Sequence, residues 1–324
     1  MSLETDLKVK VYVAALVVGS VLETIRLDDC SNGSSFMIPG KFEYYRPGSL
    51  NEAVALLSKL GEDARPLAGG HSLIPLMKTR LATPEHLIDL SGIAGLKAIE
   101  HEGNALKIGA MASQFELIHS DLIARHIPII PETSLLIADP QIRYKGTIGG
   151  NVANGDPGND MPALMQCLDS TYDVIGPGGA RSISARSFYN GAYDTALKSG
   201  EIVTSIRIPI PPNGHGYAYE KLKRKIGDYA TAAAAVVITM SNGHCQTASI
   251  GLTNLSETPL WAEEAGKHLV GSTIDSASVN LAVAAAESIV DPASDMRGPA
   301  EYRRKMAGVM LRRAIERAKS RAKA

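Results

Sequence analysis

Arg65-Pro-Leu-Ala-Gly-Gly-His-Ser-Leu-Ile-Pro75 is the stretch on which the fold turns. Arg65 to Ala68 reads as a short strand, Gly69-Gly70 breaks it, and Leu73 to Leu81 reads as a helix that starts directly after the break. Paired glycines between a strand and a helix let backbone N–H groups approach an anion without interference from a Cβ. Ser72 adds a hydroxyl, and the helix start adds its positive end. Gly146-Thr-Ile-Gly-Gly-Asn151 repeats the chemistry, with Thr147, Ile148, Gly149, Gly150 and Asn151 placing small and polar groups around a second glycine pair. Either segment alone can be a tight turn that needs positive φ. Two in one domain, Ala68–Ser72 and Thr147–Asn151, suit the two phosphates of a dinucleotide. Neither contains a lysine, so backbone donors and hydroxyls would have to bear the charge.

Working outward, strands and helices alternate up to about Gly200. Ser49 and Glu52 form a capping box ahead of the apolar stripe Ala53, Val54, Leu56, Leu57 and Leu60, and Gly61 ends that helix. Leu106–Gly109 reads as a strand, with Ser113 and Glu116 capping the helix from Phe115 to Ile118. Glu201–Ile208 alternates as a strand should, and Pro209, Pro211, Pro212 and Gly214 mark a boundary. Beyond it lie three strand-like runs, Tyr217–Lys225, Ala230–Met240 and Gln246–Leu252. Helical patterns follow over Pro259–Val270, Ser276–Ile289 and Ala300–Ala322, an α+β order. The division expected is a leader over 1–36, a domain over 37–213 with two parts split near 90–105, and a C-terminal domain over 214–324.

The totals exclude several functions. A chain of 324 residues with 45% hydrophobic and 21% charged residues is long enough for more than one core. A formal charge of -1, one Trp and four Phe offer neither a drive toward nucleic acid nor a base-stacking platform. Cys30, Cys167 and Cys245 lie far apart and form neither a disulfide framework nor a thiolate cluster, which points to the cytosol. Cys167 reads as a small buried hydrophobe. Val11–Leu22 is apolar but too short to span a bilayer, and Glu4, Asp6 and Glu23 flank it. A start placed too early, with Met37 as the true beginning, explains this leader more simply than a signal. The basic run Arg303–Lys323 fits an amphipathic helix with Met306, Val309, Met310 and Leu311 inward better than a nucleic-acid arm.

No P-loop, G-x-G-x-x-G, H-E-x-x-H or G-x-S-x-G motif occurs, and no histidine has metal-ligand spacing. His71 fits a contact to a phosphate or ring edge, or a bond to a local carbonyl. Asp160, ahead of Met161-Pro162, fits a helix N-cap or a carboxylate binding sugar hydroxyls, and one residue can do both.

Ala68-Gly-Gly-His-Ser-Leu-Ile-Pro, Thr147-Ile-Gly-Gly-Asn and Asn154-Gly-Asp-Pro-Gly-Asn-Asp-Met-Pro-Ala163 resemble the FAD-binding subunits of molybdenum hydroxylases. Ile137-Ala-Asp-Pro-Gln-Ile-Arg-Tyr144 and the run from Tyr217 to Ala230 resemble the carbon monoxide dehydrogenase branch, as its medium subunit. The resemblance covers Met37 to the C-terminus. It implies a vanillyl-alcohol-oxidase-type two-part FAD-binding domain, followed by a three-stranded antiparallel sheet with a helical bundle. It also implies FAD with its pyrophosphate on Ala68, Gly69, Gly70, His71, Ser72 and Leu73 and on the second segment. Asp160 would lie near the ribityl chain, a backbone contact near Ile202–Val203, and Tyr229 beside the isoalloxazine ring. Read alone, Tyr229 is a strand-end aromatic.

Partners implied are an iron–sulfur small subunit with two [2Fe–2S] clusters and a large subunit with a molybdenum–copper centre, as a dimer of heterotrimers. A quinone-type acceptor would take the electrons, in the cytoplasm or at the inner face of the membrane. No catalytic residue, metal or nucleic acid belongs to this chain in that reading. Two rivals remain: a self-sufficient FAD-dependent reductase or oxidase, for which no proton donor stands out, and a nucleotide-sensing scaffold.

Overall fold

The computed structural model describes residues 38–323, so the reading of 1–36 as a leader lies outside the described residues. The chain opens with β1 (Glu43–Tyr45), α1 (Leu50–Leu60), β2 (Ala64–Leu67), α2 (Leu73–Lys78) and β3 (His86–Asp89). The strands form a parallel sheet in the order β1-β3-β2, with the helices as the crossovers that parallel neighbours need. Ser49 Oγ accepts the Glu52 amide at the start of α1, and Gly61 ends it at φ +63°. The Glu52 carboxylate reaches back to the Gly48 amide instead of that of Ser49. α2 stops at Lys78, short of Leu81, because Arg80 turns the chain at φ +59°.

Next come β4 (Ile99–Glu102) and β5 (Ala105–Gly109), then six short helices in succession. These are α3 (Gln114–Ile118), α4 (Asp121–His126), α5 (Ile129–Leu136), α6 (Pro140–Lys145), α7 (Ile148–Ala153) and α8 (Asp160–Cys167). The capping box of Ser113 and Glu116 at α3 is complete. β6 (Thr171–Gly176), β7 (Gly179–Ser184), the hairpin β8 (Tyr189–Gly191) and β9 (Asp194–Thr195), and β10 (Ile202–Pro209) follow. β10 slots between β5 and β6, giving an antiparallel sheet β4-β5-β10-β6-β7. Leu106, Ile108, Tyr172 and Ile206 of that sheet share a core with Leu117, Ile129, Ile148 and Leu164 of the helices.

The C-terminal part is β11 (Gly216–Leu222), β12 (Ala232–Ser241), β13 (His244–Thr253), β14 (Leu260–Trp261), α9 (Glu263–Lys267), α10 (Ser276–Ile289) and α11 (Ala300–Arg321). The sheet has the expected three long strands and a fourth short one, where a helix was expected from Pro259. Trp261 stays extended at the sheet edge with the Arg186 guanidinium 3.7 Å from its ring centroid, and the helix waits for Glu263 and Glu264. β11 and β12 are shorter than their patterns: Lys223 to Thr231 leaves the ladder through Gly227 at φ +85°. Tyr229 is therefore a loop residue.

The parts are tightly joined. Every residue of α8 is buried, and a Cβ on Gly251 of β13 would lie 2.9 Å from the Ala163 carbonyl carbon. The basic residues of α11 are structural ties. Arg303 is buried and donates to the carbonyls of Thr231, Ala293 and Asn254. Arg317 and Arg321 converge on Glu132 of α5 at 2.6 and 2.7 Å, and the Tyr219 amide donates to the same carboxylate at 2.8 Å. Met310 and Leu311 face the core, and Met306 and Val309 pack partly against it. Among the described residues no helix is long and apolar enough to cross a membrane. Replacing Glu132 with alanine removes the carboxylate shared by two guanidinium groups and the Tyr219 amide, leaving Arg317 with Glu220 and the Tyr219 carbonyl and Arg321 with the Tyr217 carbonyl. Denaturant unfolding should then show a loss of about 1–3 kcal/mol, and a loss below about 0.5 kcal/mol would contradict this joint.

Candidate functional site

The two glycine segments meet in space. A Cβ on Gly69 would lie 2.9 Å from Gly146 Cα and closer still to the Lys145 carbonyl oxygen. One on Gly149 would lie 2.5 Å from Ala110 Cβ. Of the four paired glycines only Gly70 has a positive φ, +77°. The turn explanation thus covers Gly70 alone, whereas Gly69 and Gly149 are required because backbones touch there.

The segments also differ in what they can offer an anion. Among the described residues, the amides of Gly69, Gly70, His71, Ser72 and Leu73 have no protein acceptor. The second segment is the first turn of α7, with Thr147 as its N-cap. Its amides are spent: Ile148 donates to Ala112 O at 2.9 Å, Gly149 to Ala110 O at 2.8 Å, Gly150 to Thr147 Oγ1 at 3.0 Å and Asn151 to Thr147 O at 3.0 Å. Free backbone donors therefore lie on the first of the two segments. The first supplies amides and the Ser72 hydroxyl. The second keeps the Thr147 hydroxyl proton and the Asn151 side-chain amide, whose Oδ1 accepts from Met161 N at 3.2 Å.

A cavity of about 550 Å³ opens onto both segments, within the range of cofactor sites. Ala68 to Leu73, Thr147, Gly149, Gly150, Asn151, Asp160, Val203 and Tyr229 line it. Ile148 does not; its side chain is fully buried in the core. Ile202 and Val203 both line the wall, and the ladder to β6 slips just after them, a bulge that redirects the strand. His71 is exposed and its ring bonds to no local carbonyl among the described residues.

Asp160 is not the N-cap of α8. Asn159 holds that place, and Asp160 is the first helical residue. Its carboxylate accepts from Tyr219 Oη at 2.6 Å and from Lys221 Nζ at 2.7 Å. Burial and the adjacent carboxylate push the Tyr219 hydroxyl well above its ordinary pKa, so it remains a neutral donor. Lys221, its side chain 1% exposed, also donates to Leu136 O at 3.3 Å and lines the cavity. The glycine segments hold no cation, and the C-terminal sheet supplies this one. The alternation Tyr217, Tyr219, Lys221 along a strand was the available signal for a lysine facing inward. Cys167 is 3% exposed, and burial pushes its thiol up to about 12, as a packing residue would have it.

Replacing Asp160 with alanine leaves a buried ammonium and a phenol without their acceptor. The expected cost is about 3–5 kcal/mol in denaturant unfolding, and a variant as stable as the parent would show that the pair is not confined as described.

With this geometry in place, two family models match the chain. One is described as the FAD binding domain in molybdopterin dehydrogenase and covers residues 40–211; the other is the CO dehydrogenase flavoprotein C-terminal domain and covers residues 217–318. The chain is 71% identical over 287 residues to the carbon monoxide dehydrogenase medium chain of Afipia carboxidovorans, across 89% of this chain and 100% of that one. It is 47% identical over 282 residues to the medium chain from Hydrogenophaga pseudoflava, across 87% and 98%. The structure of reconstituted CO dehydrogenase from Oligotropha carboxidovorans matches with a TM-score of 0.88 and 71% identity, covering 88% of this chain and 100% of that chain. Both halves of the chain thus carry the same assignment: this chain belongs to the family of FAD-binding flavoprotein subunits of molybdopterin dehydrogenases.

Proposed function

We propose that this chain is the FAD-binding electron-transfer subunit of an aerobic carbon monoxide dehydrogenase. The observation that carries the cofactor site is that the residues Gly69 to Leu73, whose amides have no protein acceptor among the described residues, line one cavity together with Thr147 and Asn151. FAD, when bound, supplies a centre that exchanges electrons singly or in pairs. The chain's residues bind and orient it. The Gly69–Leu73 amides and Ser72 hold the pyrophosphate, with Thr147 and Asn151 opposite. The Asp160–Lys221 pair meets the ribityl hydroxyls, the Ile202–Val203 backbone borders the ring system, and Tyr229 stands beside it. The FAD-binding domain is read as 37–213 and the C-terminal domain as 214–324.

Ile137, Ala138 and Ile142, from a segment resembling the carbon monoxide branch, line the cavity, as do Lys221, Gly227, Asp228 and Tyr229 from the other. Identity of 71% to a carbon monoxide dehydrogenase medium chain supports the same branch. In this proposal carbon monoxide is oxidised on a large subunit bearing molybdenum and copper. Electrons cross two [2Fe–2S] clusters on a small subunit before they reach this chain. A quinone-type acceptor then removes them, and the assembly is a dimer of heterotrimers at the inner face of the cytoplasmic membrane. Such a relay needs positioning and no general base from this chain.

Two measurements test it. The three-chain complex should reduce a quinone analogue with carbon monoxide, whereas the isolated chain should not oxidise carbon monoxide. Carbon monoxide oxidation by purified chain free of molybdenum and iron would overturn the assignment. Gly69→Ala should weaken FAD binding in the complex by about tenfold or more, because the added Cβ forces the segments apart. Unchanged flavin content would contradict the cradle.

A further inference from the structure

Gln114, the first residue of α3, is 2% exposed, yet it belongs to the wall of the same cavity. Its backbone amide donates to the Gly146 carbonyl at 2.8 Å, and the neighbouring Ser113 bridges to Thr147. The residue is thus fastened beside the second glycine segment. From α5, Ser134 donates its hydroxyl to Gln114 Oε1 at 2.9 Å. Ser134 is fully buried, and its hydroxyl has no other acceptor among the described residues. That bond sets which way round the amide stands, with its oxygen toward Ser134 and Nε2 away from it. Nε2 is buried and has no acceptor among the described residues. An amide N–H shut off from water with nothing to receive it is costly, and native proteins keep few of them. The cavity is where an acceptor can come from. Gln114 lines it with Gly146 and Thr147, to which its segment is tied, and with Ile137, whose amide donates to Ser134 O at 3.1 Å.

We propose that Gln114 Nε2 is a hydrogen-bond donor to the ADP half of the bound dinucleotide, received by an oxygen or a ring nitrogen of that half. The proposal rests on the FAD reading above. It supplies what the second segment lacks. The amides of Ile148 to Asn151 are already bonded within the protein, so a ligand meets side-chain donors there. Thr147 and Asn151 are two, and Gln114 makes a third. Its backbone is fastened to Gly146, and none of its bonds reaches Ile202, Val203 or Tyr229, the residues read as facing the ring system. This assigns it to the ADP half and not to the flavin half. Because Ser134 holds the oxygen end, the donor is set before the ligand arrives and loses little freedom on binding.

The test uses the three-chain complex stripped of flavin and titrated separately with FAD and with ADP. Gln114→Met combined with Ser134→Ala removes the donor together with the hydroxyl that holds it, so neither side chain leaves a partner unpaired. Without ligand, this double variant should melt at the parent's temperature or above. It should bind both FAD and ADP about tenfold more weakly. Gln114→Glu keeps the acceptor for Ser134 and puts a second acceptor where the donor stood, so it should weaken both ligands at least as much. Parent affinity for both ligands with a lower melting temperature is what a purely structural glutamine gives, and it would overturn the donor. A loss for FAD with ADP binding unchanged would overturn it too, and both results leave the FAD reading intact. A parent complex that takes up neither ligand would overturn the FAD reading and the donor with it. If the double variant fails to assemble, Gln114→Glu carries the same comparison alone.

Discussion

Everything at this site depends on a backbone contact with no room for a side chain. Gly69 lies against Lys145 and Gly146, so the strand–helix break after β2 rests on the entry to α7. That contact brings a row of unpaired amides from a parallel sheet beside a helix start from an antiparallel one. Glycine is needed there for proximity more than for its freedom of φ. Once the two backbones touch, the cavity, its amide wall and its hydroxyl wall follow.

The second condition is charge. The glycine walls of the cavity contain no cation. The structure supplies one from the other half of the chain, on β11, and holds it with Asp160 from α8. Buried ion pairs are weak sources of stability but strong constraints on geometry once formed. This pair fixes the C-terminal sheet against the helix cluster at the cavity wall, while Glu132 with Arg317 and Arg321 fixes it further out. Binding and domain joining therefore share residues.

Much of this is legible in the sequence. Strand-to-helix breaks at paired glycines, the cap at Ser113 and the proline-rich boundary after Ile208 are local signals, and local sequence carries them. Thr147 to Asn151 misled for a physical reason. Gly-Gly beside a hydroxyl suggests an open loop, but Ala110 and Ala112 of a distant strand end take up the amides and let a helix begin. Lys221 was missed because a lysine on a strand is ordinarily a solvated residue, and only the fold shows that Asp160 waits for it. The extended Trp261 depends on Arg186, 75 residues earlier in the chain by their numbering. Contacts of that span leave no pattern in a window of sequence.

The unequal division of labour between the two glycine segments is the central claim, and amide hydrogen exchange tests it most directly. The assembled complex would be compared with and without FAD, following peptides over 65–76 and 146–154. FAD should slow exchange of the Gly69–Leu73 amides strongly and leave those of Ile148 to Asn151, already bonded within the protein, nearly unchanged. Strong new protection at Ile148 to Asn151, with Gly69 to Leu73 still exchanging freely, would contradict it.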